Sequence, residues 1–286
     1  MKVLSFGQTG QVAKALAKRA GARNISIVQH DRQTADLSDP ARCAALVAET
    51  DADAVINAAA WTAVDAAEEA EEQAYRINAV APGAMAQAAA ARDIPFVHIS
   101  TDYVFPGTAG PPWKPSDPTG PLNAYGRSKV AGEQAVLDAG GVSAILRTAW
   151  VFDGHGRNFV TTMVRLARTH DRLQIVADQH GGPTPAFAIA DACLTMAKTL
   201  RTAPECSGVY HLCGAPYVSW ADFARAIFAR SGDAVIVEDI ATADYPTSAR
   251  RPLNSRLDCS ATRLAFGIDQ PDWGAALDQI IKETRS

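Results

Sequence analysis

Over its first 150 residues the chain alternates short apolar runs with alanine-rich segments, and this rhythm limits the fold more than any other feature. Val3–Phe6, Ile25–Gln29, Ala54–Ala58, Phe96–Ser100 and Ala144–Thr148 read as strands. Gln11–Ala20, Pro40–Glu49 and Ser128–Ala139 read as helices between them, and Glu68–Arg92 as mostly helix. Strands that are apolar at consecutive positions are buried on both faces, and helices on both sides of a parallel sheet provide that burial. The expectation is an α/β protein with a doubly wound parallel sheet. Beyond about Val151 the alternation becomes irregular. Asn158–Arg168, Phe187–Leu200 and Trp220–Arg230 read as helices, the last with Ser219 as N-cap, while Leu173–Val176 and Val209–Leu212 read as strands. Residues 1–150 are expected to form the main domain and 151–286 a smaller C-terminal α+β substrate domain, with segments near 173–200 returning to the main sheet.

Composition removes several classes of function. Lys and Arg number 27 against 31 Asp and Glu, a net charge of −4, and no basic run offers a patch for a nucleic-acid backbone. No apolar stretch approaches the ~18–20 residues of a membrane span. The N-terminal run reaches Gly7 too early for a signal peptide. The five cysteines are odd in number and lack a C-x-x-C pair, which argues against a disulfide framework and a thiolate zinc site. A reducing, cytoplasmic setting is expected, with no nucleic-acid, membrane or metal partner. Pro106–Pro121 holds six prolines and three glycines, so it reads as a long loop of the kind that often serves function.

Gly7-Gln8-Thr9-Gly10-Gln11-Val12-Ala13 closes the first strand and opens the first helix. Glycines there permit a tight turn and let a pyrophosphate approach the helix N-terminus, while the small Ala13 lets the helix pack on the sheet. The G-x-x-G-x-x-A spacing marks Gly7, Thr9, Gly10, Gln11 and Val12 as candidate cofactor-binding residues. Asp31 follows the second strand, 21 residues after Gly10, with Arg32 beside it. The carboxylate suits the ribose 2′-hydroxyl of NADH and the guanidinium the 2′-phosphate of NADPH, so either cofactor is open. Asp36 and Leu37 are candidates for the adenine side.

Tyr125 and Lys129 stand four apart, one face of a helix. A phenol has a pKa near 10, and a neighbouring ammonium is expected to lower it, fitting Tyr125 to give a proton to a carbonyl oxygen as hydride reaches its carbon. His98–Phe105 carries Thr101 and Asp102 at the end of the fourth strand, where ligands bind in such sheets. Thr101 is the candidate hydroxyl for the same oxygen.

With these residues in this order the chain resembles the extended short-chain dehydrogenase/reductase family. The resemblance runs through Gly7–Val12, Asn57–Asp65 (NAAAWTAVD), Ser100–Phe105, Tyr125–Lys129, Arg147–Phe152, Asp178–Thr184, Ala249–Pro252 and Asn254–Leu257, nearly the whole chain. It implies a Rossmann-type fold, a catalytic set of Thr101, Tyr125 and Lys129, and a Lys129 that also holds the nicotinamide ribose. It implies that Ala58, Ala59 and Ala60 line the cofactor, that Val64, Asp102, Val104 and Trp150 border a sugar, and that Arg250 and its neighbours face the nucleotide end of substrate. Asn78 matches an asparagine that supports a proton relay. The implied reaction is NADPH- or NADH-dependent reduction of the C4 carbonyl of a dTDP-sugar, dTDP-4-dehydro-β-L-rhamnose, for cell-surface polysaccharide synthesis. A related epimerase or dehydratase, or a non-catalytic regulatory subunit, stands as the alternative. Some relatives dimerise around magnesium through carboxylates of two helices. Lys14-Ala15 and Ala186-Phe187 stand near those positions here, which implies a monomer, with a weak homodimer as the alternative.

Overall fold

The structure is a computed structural model that describes residues 1–285. The main sheet is built from β1 (Lys2–Phe6), β2 (Ser26–His30), β3 (Ala54–Asn57), β4 (Phe96–Thr101) and β5 (Ser143–Thr148). Between them lie α1 (Gln11–Ala22), α2 (Pro40–Glu49), α3 (Val64–Glu69), α4 (Glu71–Tyr75), α5 (Ala81–Ala90) and α6 (Ala124–Asp138). The later chain adds β6 (Val151–Phe152), α7 (Phe159–Leu166), β7 (Arg172–Val176), β8 (His180–Gly181), β9 (Thr184–Pro185), α8 (Ala186–Leu200) and β10 (Gly208–Leu212). It ends with β11 (Val218–Ser219), α9 (Trp220–Ser231), β12 (Ile236–Ile240), β13 (Asn254–Ser255), α10 (Ser260–Phe266) and α11 (Trp273–Arg285).

The main sheet has the order β10-β5-β4-β3-β1-β2, with every pairing parallel. Adjacent residues of each strand point to opposite faces, so a continuous apolar run feeds two cores. Val3, Ile56, Val97 and Leu146 pack beneath α1 and α8, while Leu4, Val55, Phe96 and Ile145 pack with Val47 of α2 and Met85 of α5. A third core joins α7, α9 and α11 around Phe223, Ile227 and Leu277. The expected return of the segment near 173–200 divides in two. β7 pairs with β12 away from the main sheet, whereas α8 covers that sheet and β10 completes its edge. Among the described residues no helix is long and apolar enough to cross a membrane.

The stretch Glu68–Arg92, expected to be mostly helix, is helical in several pieces. Ala70, at φ −130°, separates α3 from α4, and a π-helical turn spans Arg76–Val80 before α5. Pro82 supplies the reason. It has no N–H to give the Asn78 carbonyl four residues back, so the ladder slips. The Asn78 carbonyl stands instead against α6, where a Cβ on Gly132 would lie 2.0 Å from it. Helix α6 also begins earlier than expected. Asn123 caps it by accepting from Gly126 N at 2.8 Å, and Ala124 N donates to Glu68 Oε1 at 2.7 Å.

A buried ion pair fastens α6 to the sheet. Arg147 of β5 meets Glu133 through Nε–Oε1 at 2.9 Å and Nη2–Oε2 at 2.7 Å, and Ser100 Oγ of β4 donates to the same carboxylate. Arg147 Nη1 reaches the Pro115 carbonyl and its guanidinium lies over Phe105. The proline-rich loop is thereby an ordered strap. Trp113 stacks on Phe105 at 4.8 Å, Trp113 N donates to the Arg256 carbonyl and Trp113 Nε1 to the Asn254 carbonyl.

Gly132→Ala is expected to destabilise the protein by about 1–3 kcal/mol, because the added methyl group forces α6 off the Asn78 carbonyl. Gly21→Ala, where a Cβ meets nothing within 4 Å, is expected to be neutral or stabilising by up to ~1 kcal/mol. Urea unfolding of the two variants checks the contrast, and equal midpoints would refute the close approach.

Candidate active site

A cleft of about 710 Å³ opens at the carboxyl ends of the main strands, beside the switch point between β1 and β3. The glycine turn forms its floor. Gly7 holds φ +106° and donates its N–H to the His30 carbonyl at 2.9 Å, and a Cβ there would lie 3.2 Å from the Ala58 carbonyl. The chain itself therefore requires glycine at 7. Gly10 is different: its φ of −67° is open to any residue and a Cβ would meet no protein atom within 4 Å. As N-cap of α1 it offers no side-chain acceptor, and the first turn holds no carboxylate. The first N–H groups of α1 thus face the cleft unmasked, beside Thr9, Gln11 and Val12, which fits a pyrophosphate.

Asp31, Arg32, Asp36, Leu37 and Ala58–Ala60 all line this cleft. Asp31 Oδ1 accepts from Gln33 N and from both Thr34 N and Thr34 Oγ1, and the Thr34 bonds hold this carboxyl below the usual range. Arg32 is 77% exposed and only skirts Asp36 at 3.4 Å.

Thr101 ends β4, and Asp102 and Tyr103 follow in a 3-10 turn. Thr101 Oγ1 donates to Asp102 Oδ1 at 3.1 Å and accepts from Tyr103 N at 3.2 Å. The first turn of α6 presses on this segment, since a Cβ on Gly126 would lie 2.3 Å from the Tyr103 carbonyl. That approach sets the Tyr103 and Tyr125 rings edge to face at 5.6 Å, and Tyr125 lines the cleft with Thr101. Burial pushes the Asp102 carboxyl up to about 6 against the Thr101 and Ser255 hydroxyls, which favour its ionised form. Burial also raises the Tyr125 phenol above its ordinary value, opposite to the lowering expected from Lys129. The physical reason is where the lysine points. Lys129 Nζ donates to the Ile99 carbonyl at 2.8 Å and lies 3.2 Å from His98 Nε2, and burial brings it down to about 8.

Val64 and Trp150 line the cleft as well. Trp150 sits at φ +49°, a left-handed conformation that a bulky residue rarely adopts. Its ring fills the space over Gly181, where a Cβ would lie 2.6 Å from it, and stacks on Trp220 at 3.6 Å. Two expected substrate residues are elsewhere. Val104 is fully buried with Phe105, Ala149 and Leu257, because the 3-10 turn rotates it into the core. Arg250 is exposed and outside the cleft lining, its carbonyl held by Asn123 Nδ2 at 2.8 Å. Its neighbour Arg251 pairs with Asp65, whose other oxygen accepts from Ala249 N at 3.0 Å. The Asn78 side chain is committed to Trp61 N, the Trp61 carbonyl and Ser128 Oγ. Sequence reading passed over Asn57, His98 and Arg157. Asn57 and Arg157 line the cleft, and Asn57 stands first in the NAAAWTAVD stretch, a visible signal. His98 carried none.

A doubly wound sheet with this cleft is the architecture of the extended short-chain dehydrogenase/reductase class. The model of one of its families, the RmlD substrate binding domain, matches residues 1–286. A dTDP-4-dehydrorhamnose reductase of Sinorhizobium fredii is 40% identical, with 98% of this chain and 97% of that protein covered. A dTDP-4-dehydrorhamnose reductase structure from Clostridium acetobutylicum superposes with TM-score 0.93 at 35% identity, covering 100% of both chains. One from Bacillus anthracis, in complex with NADP, has TM-score 0.91 at 32% identity over 99% of each. The chain belongs to the RmlD family, whose curated relatives carry the name dTDP-4-dehydrorhamnose reductase.

Gly7→Ala is expected to cost about 1–3 kcal/mol of stability from the strained φ. Gly10→Ala is expected to leave stability within about 0.5 kcal/mol while weakening NADPH binding. Urea midpoints and cofactor fluorescence titration check both, and equal losses of stability would undo the distinction.

Proposed function

We propose that this chain is an NADPH- or NADH-dependent reductase of the C4 carbonyl of dTDP-4-dehydro-β-L-rhamnose, giving dTDP-L-rhamnose. The observation that carries the reading is that Thr101 at the end of β4 and Tyr125 and Lys129 of α6 line one cleft, the same cleft that begins at the glycine turn. Gly7, Thr9, Gly10, Gln11 and Val12 would hold the pyrophosphate, Ala58–Ala60 the nicotinamide half, and Arg32, Asp36 and Leu37 the adenosine end. When bound, the reduced nicotinamide supplies hydride to the carbonyl carbon. Tyr125 gives its phenolic proton to the oxygen of that carbonyl, and its raised pKa keeps the proton in place beforehand. Thr101 would turn its single O–H from Asp102 Oδ1 to the same oxygen once the carbonyl is in place. Lys129, one helical turn from Tyr125, supplies the cation that the resulting phenolate needs and holds the ribose. Val64, Asp102 and Trp150 border the sugar. The absence of carboxylates at Lys14-Ala15 and Ala186-Phe187 supports a monomer, which light scattering would test, and five unpaired cysteines suit a reducing cytoplasm.

The test is oxidation of NADPH, then NADH, on adding dTDP-4-dehydrorhamnose, with dTDP-L-rhamnose identified as product. Tyr125→Phe is expected to reduce turnover by ~10²–10⁴. A wild-type rate in that variant removes Tyr125 from the proton transfer. Absence of cofactor oxidation by the native chain removes the substrate assignment.

A pH profile adds a second check. Asp102 loses its charge as pH falls through about 6, and Thr101 then loses its ionic partner. kcat/KM is expected to fall on that acid limb in the native enzyme, and the limb is expected to be missing in Asp102→Asn.

A further inference from the structure

Beneath the face of α6 that carries Tyr125 and Lys129 runs a buried chain of three side chains. It begins at Asn57, the last residue of β3, passes through His98 of β4 and ends at Lys129. His98 is fully buried, with Asn57 Nδ2 3.2 Å from its Nδ1 and Lys129 Nζ 3.2 Å from its Nε2.

The hydrogens of this chain are fixed from one end. A backbone N–H can only donate, and Ala59 N donates to Asn57 Oδ1 at 3.2 Å. The amide therefore turns its NH2 toward the imidazole, and His98 Nδ1 accepts. A neutral ring that accepts at Nδ1 carries its proton on Nε2, aimed at Lys129 Nζ. A neutral amine accepts that proton with its lone pair. An ammonium has only N–H groups to present and meets a donor. To face an ammonium, His98 must carry its proton on Nδ1, and Asn57 must turn its amide over, which sets NH2 against the Ala59 N–H.

We propose that the tautomer of His98 and the charge of Lys129 are coupled, with Asn57 and His98 as positioning residues that favour the neutral amine in the cofactor-free enzyme. The proposal rests on the reading above in which Lys129 serves Tyr125. On charging, the His98 Nε2–H bond breaks, an Nζ–H bond forms on Lys129, and His98 Nδ1 gains a proton; net, one proton comes from water. Tyr125 and Asp102 share the cleft with Lys129, and Glu133 lies one turn further along α6, beside Arg147 of β5. Glu133 favours the ammonium, but Arg147 already pairs that carboxylate. Burial and the lysine charge take His98 well below the ordinary histidine value, so the ring stays neutral and changes only its tautomer. A phenolate at Tyr125 draws charge onto Lys129, which places the tautomer change within the catalytic cycle.

Long-range ¹⁵N–¹H spectra of the ¹⁵N-histidine-labelled native enzyme, recorded from about pH 6 to 10, read the tautomer directly, with His98→Gln identifying the signal. The expected result is an Nε2–H ring at high pH that gives way to Nδ1–H at lower pH, and a ring locked as Nε2–H in Lys129→Met. One tautomer throughout in the native enzyme, an imidazolium near the ordinary histidine value, or a transition that survives Lys129→Met overturns the coupling. Activity gives a separate reading. A glutamine at 98 can turn its carbonyl to the ammonium, so in His98→Gln the alkaline limb of kcat/KM is expected to move up by about one pH unit or more. A uniform loss of rate with the limb unmoved overturns the coupling in favour of plain packing. A wild-type rate in Lys129→Met refutes the role of Lys129 in the reaction, while the spectra still decide the coupling on their own.

Discussion

Two opposite charges with almost no access to water hold the centre of this molecule. Moving Arg147 and Glu133 out of solvent costs several kcal/mol per ion, and such a pair is tolerable only when the remaining donors and acceptors are met. Here they are met from the strands on both sides of β5 and from the proline-rich strap. Ser100 of β4 donates to the carboxylate, the Pro115 carbonyl accepts from the guanidinium, Phe105 lies beneath it, and His211 of β10 stands 3.4 Å away. His211 donates from Nδ1 to the Trp113 carbonyl, and burial with the arginine charge takes it down to about 3, so a lone pair and not a proton faces Arg147. Glu133 lies one turn of α6 from Lys129 and two from Tyr125. The helix that carries both groups cannot slide or rotate without exposing an uncompensated charge.

Close backbone approaches complete that positioning. Gly126 lets α6 press on the Tyr103 carbonyl and Gly132 lets it press on the Asn78 carbonyl, so the helix is held at its start and its middle by contacts that no side chain tolerates. The opposite wall of the cleft is fixed by strain. Trp150 keeps a left-handed backbone, at a cost of order 1–3 kcal/mol, because Gly181 leaves room for its ring and Trp220 stacks on it.

Much of this was legible in the sequence because it rests on local pattern. Apolar runs such as Val3–Phe6 marked strands buried on both faces, and the turn from Gly7 to Gly10 marked the floor of the cleft. Thr101, Tyr125 and Lys129 were legible because strand end and helix spacing fix where their side chains go. What failed depended on partners distant in sequence. The π-helical turn inside the mostly helical Glu68–Arg92, which no local pattern marks, follows from Pro82 and from the approach of Gly132 on another helix. Val104 was read as facing substrate beside Asp102, but a single 3-10 turn sends neighbours to opposite sides. The lowered Tyr125 pKa was argued from helix spacing alone, and the lysine instead reaches His98, 31 residues earlier. Arg250 was chosen by its place in a motif, while Asp65 engages the arginine next to it.

The position of β10 has a consequence for how the chain assembles. The edge strand beside β5 comes from residues 208–212, after the chain has left the sheet for β6, α7 and the β7 segment. A nascent chain ending near residue 150 therefore presents β5 as an open parallel edge, with Leu146 uncovered by α8. Such an edge is a template for pairing with other chains. Roughly sixty further residues must be synthesised before the molecule closes its own edge. The main sheet thus draws on both halves of the sequence, and its edge beside β5 stays open to other chains until β10 docks.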